Sequence, residues 1–168
     1  MVLVFAETTK GQFKKAAFEA VTFGHKTAQA LGSQCVALTL GAVENAGQLG
    51  KYGAAKVYNV PDERLNGFDS QVFTAVIGQA AQQLGAKVVV VSHTSTGKAL
   101  VGRLAARLNA GSVAGVKNVP AVDGGFRVSK SVYSGKAIAE YQVNSEVKVL
   151  SLMGNEVKPE VVGSDVAV

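Results

Sequence analysis

The stretch "AKVVVVSHTSTGKALVGRLAARLNAG", Ala86 to Gly111, decides the fold. Its four consecutive valines, Val88 to Val91, are apolar on both faces of a strand, as in a central parallel strand covered by helices on each side. A hydroxyl-rich turn follows, and then Leu100, Leu104 and Leu108 draw one apolar stripe along a helix. A buried strand running straight into an amphipathic helix is the repeating unit of a parallel sheet.

Working outward toward the amino terminus, the same alternation recurs. "VLVFAE" is a strand, followed by a helical spacing from Phe13 to Leu31 through Ala17, Val21 and Ala28, with Gly32 free to take the left-handed position that ends it. "CVALTLG" is a second strand, a short helix is expected from Asn45 to Tyr52, and "AKVYNV" is a third strand stopped by Pro61. The spacing of Val72, Ala75, Val76 and Ala80 predicts a helix over Ser70 to Leu84, closed by Gly85. Together these elements predict an α/β chain, a three-layer α/β/α arrangement around a mostly parallel sheet.

Toward the carboxyl terminus the pattern changes near Val113. "FRVSKSVYSG", "KAIAEYQV" and "VKVLSLM" are consecutive strand-like runs joined by short turns at Ser134-Gly135 and Asn144-Ser145, which predicts a C-terminal antiparallel β meander. Residues 1–153 form one expected domain. Residues 154–168, with weak periodicity, a proline and mixed charge, are expected as an edge strand or linker.

Composition narrows the function classes. The 168 residues are 48% hydrophobic and 17% charged, enough apolar content for one core and too little charge for a disordered or coiled-coil chain. No apolar run approaches the roughly 20 residues that cross a bilayer, and the "MVLVFAETTKG" start lacks the basic and apolar regions of a secretory signal, so the expected location is cytoplasmic without membrane insertion. Cys35 is the only cysteine, which excludes an internal disulfide and a cysteine metal cluster. It reads as a buried, inert thiol. The net charge of +5 is concentrated between Lys98 and Lys136, where seven cations share the stretch with one acid, Asp123. Few aromatics interleave with them and no nucleic-acid motif appears, so that face is expected to be solvated or to meet protein.

The opening stretch also poses a phosphate-loop question. A Walker loop needs a first glycine where Ser92 stands and a Ser or Thr where Ala99 follows Gly97-Lys98, so this is not one. The turn "AETTKG" carries one glycine rather than a dinucleotide fingerprint. What remains is a weak nucleotide or anion site made of Glu7, His93, Thr94, Ser95, Thr96, Gly97 and Lys98, against the plainer reading that hydroxyls cap the helix while Lys98 points to solvent. Thr94, Ser95 and Thr96 are all candidate caps. Lys98 in the first turn opposes the helix dipole by a few tenths to ~1 kcal/mol, a tension that a bound anion would relieve. His93 and Glu7 sit at carboxyl ends of strands, where open sheets bind ligands, but no nucleophile–base pair, carboxylate dyad or metal spacing accompanies them. No catalytic residue and no metal ligand is assigned.

Four segments in order, "VLVFAET", "LGKYGAAKVYNV", "GKALVGRLAARLNAG" and "VYSGKAIAEY", resemble the amino-terminal domain of the electron transfer flavoprotein alpha subunit. The resemblance reaches about Met153. It implies an adenine-nucleotide alpha-hydrolase-like fold and a heterodimer with a beta subunit that carries electrons from flavin-linked dehydrogenases. It further implies FAD in the full-length protein, held by a carboxyl-terminal domain, with none bound by residues of this chain. The comparable crevice holds AMP in beta subunits and is generally vacated in alpha. Partner contact is expected at Arg127, Tyr133 and Lys136. The alternative is a small-ligand module of the adenine-nucleotide-binding, universal-stress-like kind, although Leu100 stands where the glycine of that pattern belongs.

Overall fold

A computed structural model describes residues 1–168. Six strands form one parallel sheet: β1 (Val2–Phe5), β4 (Cys35–Leu40), β5 (Lys56–Val60), β6 (Val88–Ser92), β7 (Gly111–Val116) and β10 (Lys148–Leu152). Their spatial order is β5-β4-β1-β6-β10-β7, so the winding reverses between β1 and β6. Helices α1 (Lys15–Ala30), α2 (Ser70–Leu84) and α3 (Ser95–Leu108) cover it. Two short ribbons complete the chain, β2 (Thr8–Thr9) with β3 (Gln12–Phe13) and β8 (Arg127–Val132) with β9 (Ala137–Gln142).

The valine run behaves as its composition dictates. Val88 and Val90 join Val2, Val4, Cys35 and Ala37 against α1, whereas Val89 and Val91 join Leu3, Phe5, Val36 and Leu38 against α2 and α3. Alternate side chains of one strand therefore feed two separate cores, each valine contributing about 1.5–3 kcal/mol of burial. The three layers and the mostly parallel sheet are those expected. α2 spans the predicted residues, and Gly32 and Gly85 take positive φ after their helices. The expected short helix is a 3-10 helix, Ala46–Tyr52.

Three details differ from the sequence expectations. Phe13 is not helical: Lys10 and Gly11, both at positive φ, turn the chain so that Phe13 pairs with Thr8 before α1 begins. β7 was not expected, because "GSVAGV" is short and glycine-rich. The first two runs of the meander form the antiparallel hairpin β8–β9, but the third, β10, leaves it and inserts parallel between β6 and β7. Burial explains the choice: Val149 to Leu152 are wholly enclosed, so an inner position in the main sheet covers both their faces, while β9 stays exposed.

Residues 154–168 form no strand and lie as a strap across α1 and the 3-10 helix. The Asn155 N–H donates to the buried Glu19 carboxylate at 3.1 Å and the Glu160 N–H to Thr22 Oγ1 at 3.1 Å. Val162 and Val166 donate to the carbonyls of Lys51 and Gly47, and Lys26–Glu160 and Lys51–Asp165 ion pairs flank the path.

Candidate functional site

In open α/β sheets the crevice lies at the carboxyl edge, where the winding reverses. Here that place is a cavity of about 420 Å³. Phe5 and Glu7 enter from the end of β1, Leu40 from β4, Asn66 and Phe68 from the loop before α2, and Thr96 from the start of α3. Phe73 closes the floor, edge-on to both Phe5 and Phe68 at centroid distances of 5.9 and 5.0 Å. The wall is thus mainly aromatic, with one carboxylate and a few hydroxyls at its rim. Asn66 is committed to structure: its Oδ1 accepts from the Ala42 N–H at 2.8 Å.

Of the residues singled out from the sequence, only Glu7 and Thr96 line this cavity. Thr94 is the cap among the three candidates. Its Oγ1 accepts from the Gly97 N–H at 3.1 Å and donates to Glu7 Oε2 at 2.7 Å. The chain therefore sets its own carboxylate beside the amino terminus of α3, where its negative charge offsets Lys98. Ser95 and Lys98 are exposed, and Gly97 is buried in the first turn against the end of β6.

His93 turns the other way, toward the seam between β6, β10 and β7. Its Nδ1 lies 2.8 Å from Ser151 Oγ, which also accepts from the Gly115 N–H at 2.9 Å. Since the fully buried Ser151 has no other acceptor for its hydroxyl proton, that proton points to Nδ1 and leaves Nε2 protonated. Burial, reinforced by the charges of Lys98 and Lys130, holds the His93 pKa below the ordinary imidazole value. The neutral ring is thus favoured by the fold. As pH falls through the ordinary value, the unfolded chain takes up a proton that the folded chain resists, so the His93 contribution to stability is present above that value and is lost below it. Titration of the His93 ring by NMR is expected to give a midpoint below the free-imidazole value, and urea midpoints are expected to fall between about pH 7 and 5 in wild type and to stay flatter in His93→Asn. A His93 midpoint at or above the free value overturns the assignment.

Ser151 was missed from the sequence. Its signal is a lone hydroxyl inside a buried run, "VLSLM", since a polar group there must find a partner. Cys35 is buried and its thiol is pushed up to about 12, in keeping with an inert role. No group of three or more His, Cys, Asp or Glu residues stands ready for a metal. No helix is long and apolar enough to cross a membrane.

Arg127, Tyr133 and Lys136 lie together on the β8–β9 hairpin. Arg127 is held locally, by Asp123 at 3.0 Å and Glu140 at 3.7 Å. Tyr133 stands at the tip with 81% of its surface exposed, and Lys136 is exposed beside it without an ion pair.

The model of the electron transfer flavoprotein domain family matches residues 2–167. The chain belongs to the electron transfer flavoprotein family. It is 31% identical over 137 residues to the electron transfer flavoprotein subunit alpha of Bacillus subtilis, a match covering 81% of this chain and 42% of that one. To the subunit alpha of Mycobacterium tuberculosis it is 29% identical over 163 residues, 95% of this chain and 49% of the other. The acryloyl-CoA reductase electron transfer subunit beta of Anaerotignum propionicum is 31% identical over 115 residues, 67% of this chain and 31% of that one. The alpha-subunit resemblance drawn from the four sequence segments is thereby shown. This electron transfer flavoprotein chain spans less than half the length of these relatives.

Proposed function

We propose that the chain is the scaffold domain of an electron transfer flavoprotein alpha subunit. It pairs with the beta subunit and supports the FAD-bearing domain while electrons pass from flavin-linked dehydrogenases, with residues outside 1–168 holding the FAD. The work is positional, carried out in the cytoplasm, and no residue of this chain is itself redox-active. The observation that carries this reading is a family match over nearly the whole chain to alpha subunits more than twice as long.

The site supports it. A flavin dinucleotide needs backbone donors free for its pyrophosphate, and the helix start that would offer them already faces the Glu7 carboxylate. The residues present therefore do not fit FAD. Mixing the purified chain with its beta subunit is expected to give a complex by sedimentation velocity, while the chain alone stays colourless. Failure to associate at tens of micromolar, or a yellow chain with stoichiometric flavin, overturns the proposal.

A second reading, a small-ligand module, is favoured by the aromatic cavity alone. Calorimetry with AMP and ATP separates the two. The scaffold reading expects no heat, because a phosphate would meet the carboxylate of Glu7; micromolar binding would favour the module.

A further inference from the structure

We infer that the outer edge of β9 is a docking strand, on which the beta subunit adds an extended segment to the β8–β9 ribbon; this rests on the pairing proposed above. The phase of the ribbon's hydrogen bonds identifies the free groups. The Val143 N–H donates to the Phe126 carbonyl at 2.8 Å, which makes Phe126 and Val143 a bonded pair. Every second pair of an antiparallel ladder is bonded, so Val128–Tyr141, Lys130–Ala139 and Val132–Ala137 are bonded as well. The backbone groups of the intervening residues then face outward. On β8 those groups are taken: the Ser129 carbonyl accepts from the Lys117 N–H, the Ser129 N–H donates to Asn118 Oδ1, and Arg127 exchanges both its bonds with Ala121. On β9 no strand of this chain pairs with the opposite edge, and the N–H and C=O groups of Ile138 and Glu140 are left pointing away from the ribbon.

Such an edge is normally blunted by lysine, proline, a bulge or an overlying element. β9 has none of these between Ala137 and Gln142, and it bares Ile138 and Tyr141, 68% and 41% exposed. Glu140 is already matched by Arg127, so the charge left without a partner at this edge is that of Lys136. The complementary strand therefore carries an apolar side chain opposite Ile138 and a carboxylate at the end nearest the hairpin tip.

Ile138→Pro removes one outward N–H and leaves the internal ladder of the hairpin intact, because that N–H makes no bond within the chain. Ile138→Lys keeps the backbone and adds a guarding charge. Both variants, mixed with the beta subunit in sedimentation equilibrium, are expected to weaken association about tenfold or more with unchanged thermal unfolding of the chain alone, whereas Leu31→Lys, at an exposed site on the far end of α1, leaves it unchanged. Association that is intact for wild type and for both Ile138 variants overturns this inference alone. No association of wild type overturns the pairing and the inference together, and self-association of the chain through β9 replaces the beta subunit by a second copy and overturns it too.

Discussion

Gly97→Ala is expected to cost about 4 kcal/mol or more, although alanine is the better helix former. In an open helix the exchange would gain roughly 1 kcal/mol. Here a Cβ on residue 97 would lie 1.7 Å from the Ser92 carbonyl oxygen and 2.9 Å from its carbon, both backbone atoms. Neither can step aside. The first turn of α3 would have to lift off the end of β6, which also breaks the Thr94 cap and separates Thr94 from Glu7. Overpacking of this size exceeds the propensity gain several-fold. Urea unfolding of the variant checks it, and a loss below about 1 kcal/mol would show that the contact is soft. The glycine that gives "TGK" the look of a phosphate loop is therefore explained by steric closeness, with no ligand in the argument.

Ser151→Ala is expected to cost about 1–3 kcal/mol, more than a surface hydroxyl would. The register between β10 and β7 slips between Leu150 and Leu152, where Gly115 takes φ 77. That irregularity takes the Gly115 N–H out of the strand ladder, and Ser151 Oγ receives it instead. Removing the hydroxyl orphans a buried donor and frees His93 Nδ1 at the same time. Chemical denaturation gives the stability loss, and nitrogen-detected NMR is expected to show the His93 tautomer balance relaxing. A loss under about 0.5 kcal/mol with an unchanged ring would mean that water replaces the hydroxyl.

Local patterns predicted local structure well. The boundaries of α2 follow from Val72, Ala75, Val76 and Ala80 with Gly85, and the valine run identified β6, because these signals are complete within a few residues. β10 was recognisable as a strand but its neighbours were not, since membership of a hairpin or a parallel sheet depends on which surface is free to bury Leu150 and Leu152. β7 gave too little apolar signal. At the site, the helix cap was legible as one of three hydroxyls in a row. Its partner was not, for Glu7 and Thr94 are 87 positions apart and no local rule joins them. Glu7 had been weighed as a cap for Thr8 and Thr9, whereas the sheet brings the ends of β1 and β6 together and gives it to Thr94.

The carboxylate of Glu7 also bears on how this domain responds to its surroundings. A site filled by a metabolite couples the folding equilibrium to that metabolite, with a stabilisation that grows as the logarithm of its concentration. A counter-ion built into the polypeptide carries no such dependence, so a platform meant to hold other parts in register keeps the same rigidity whether the cell is rich or poor in nucleotides.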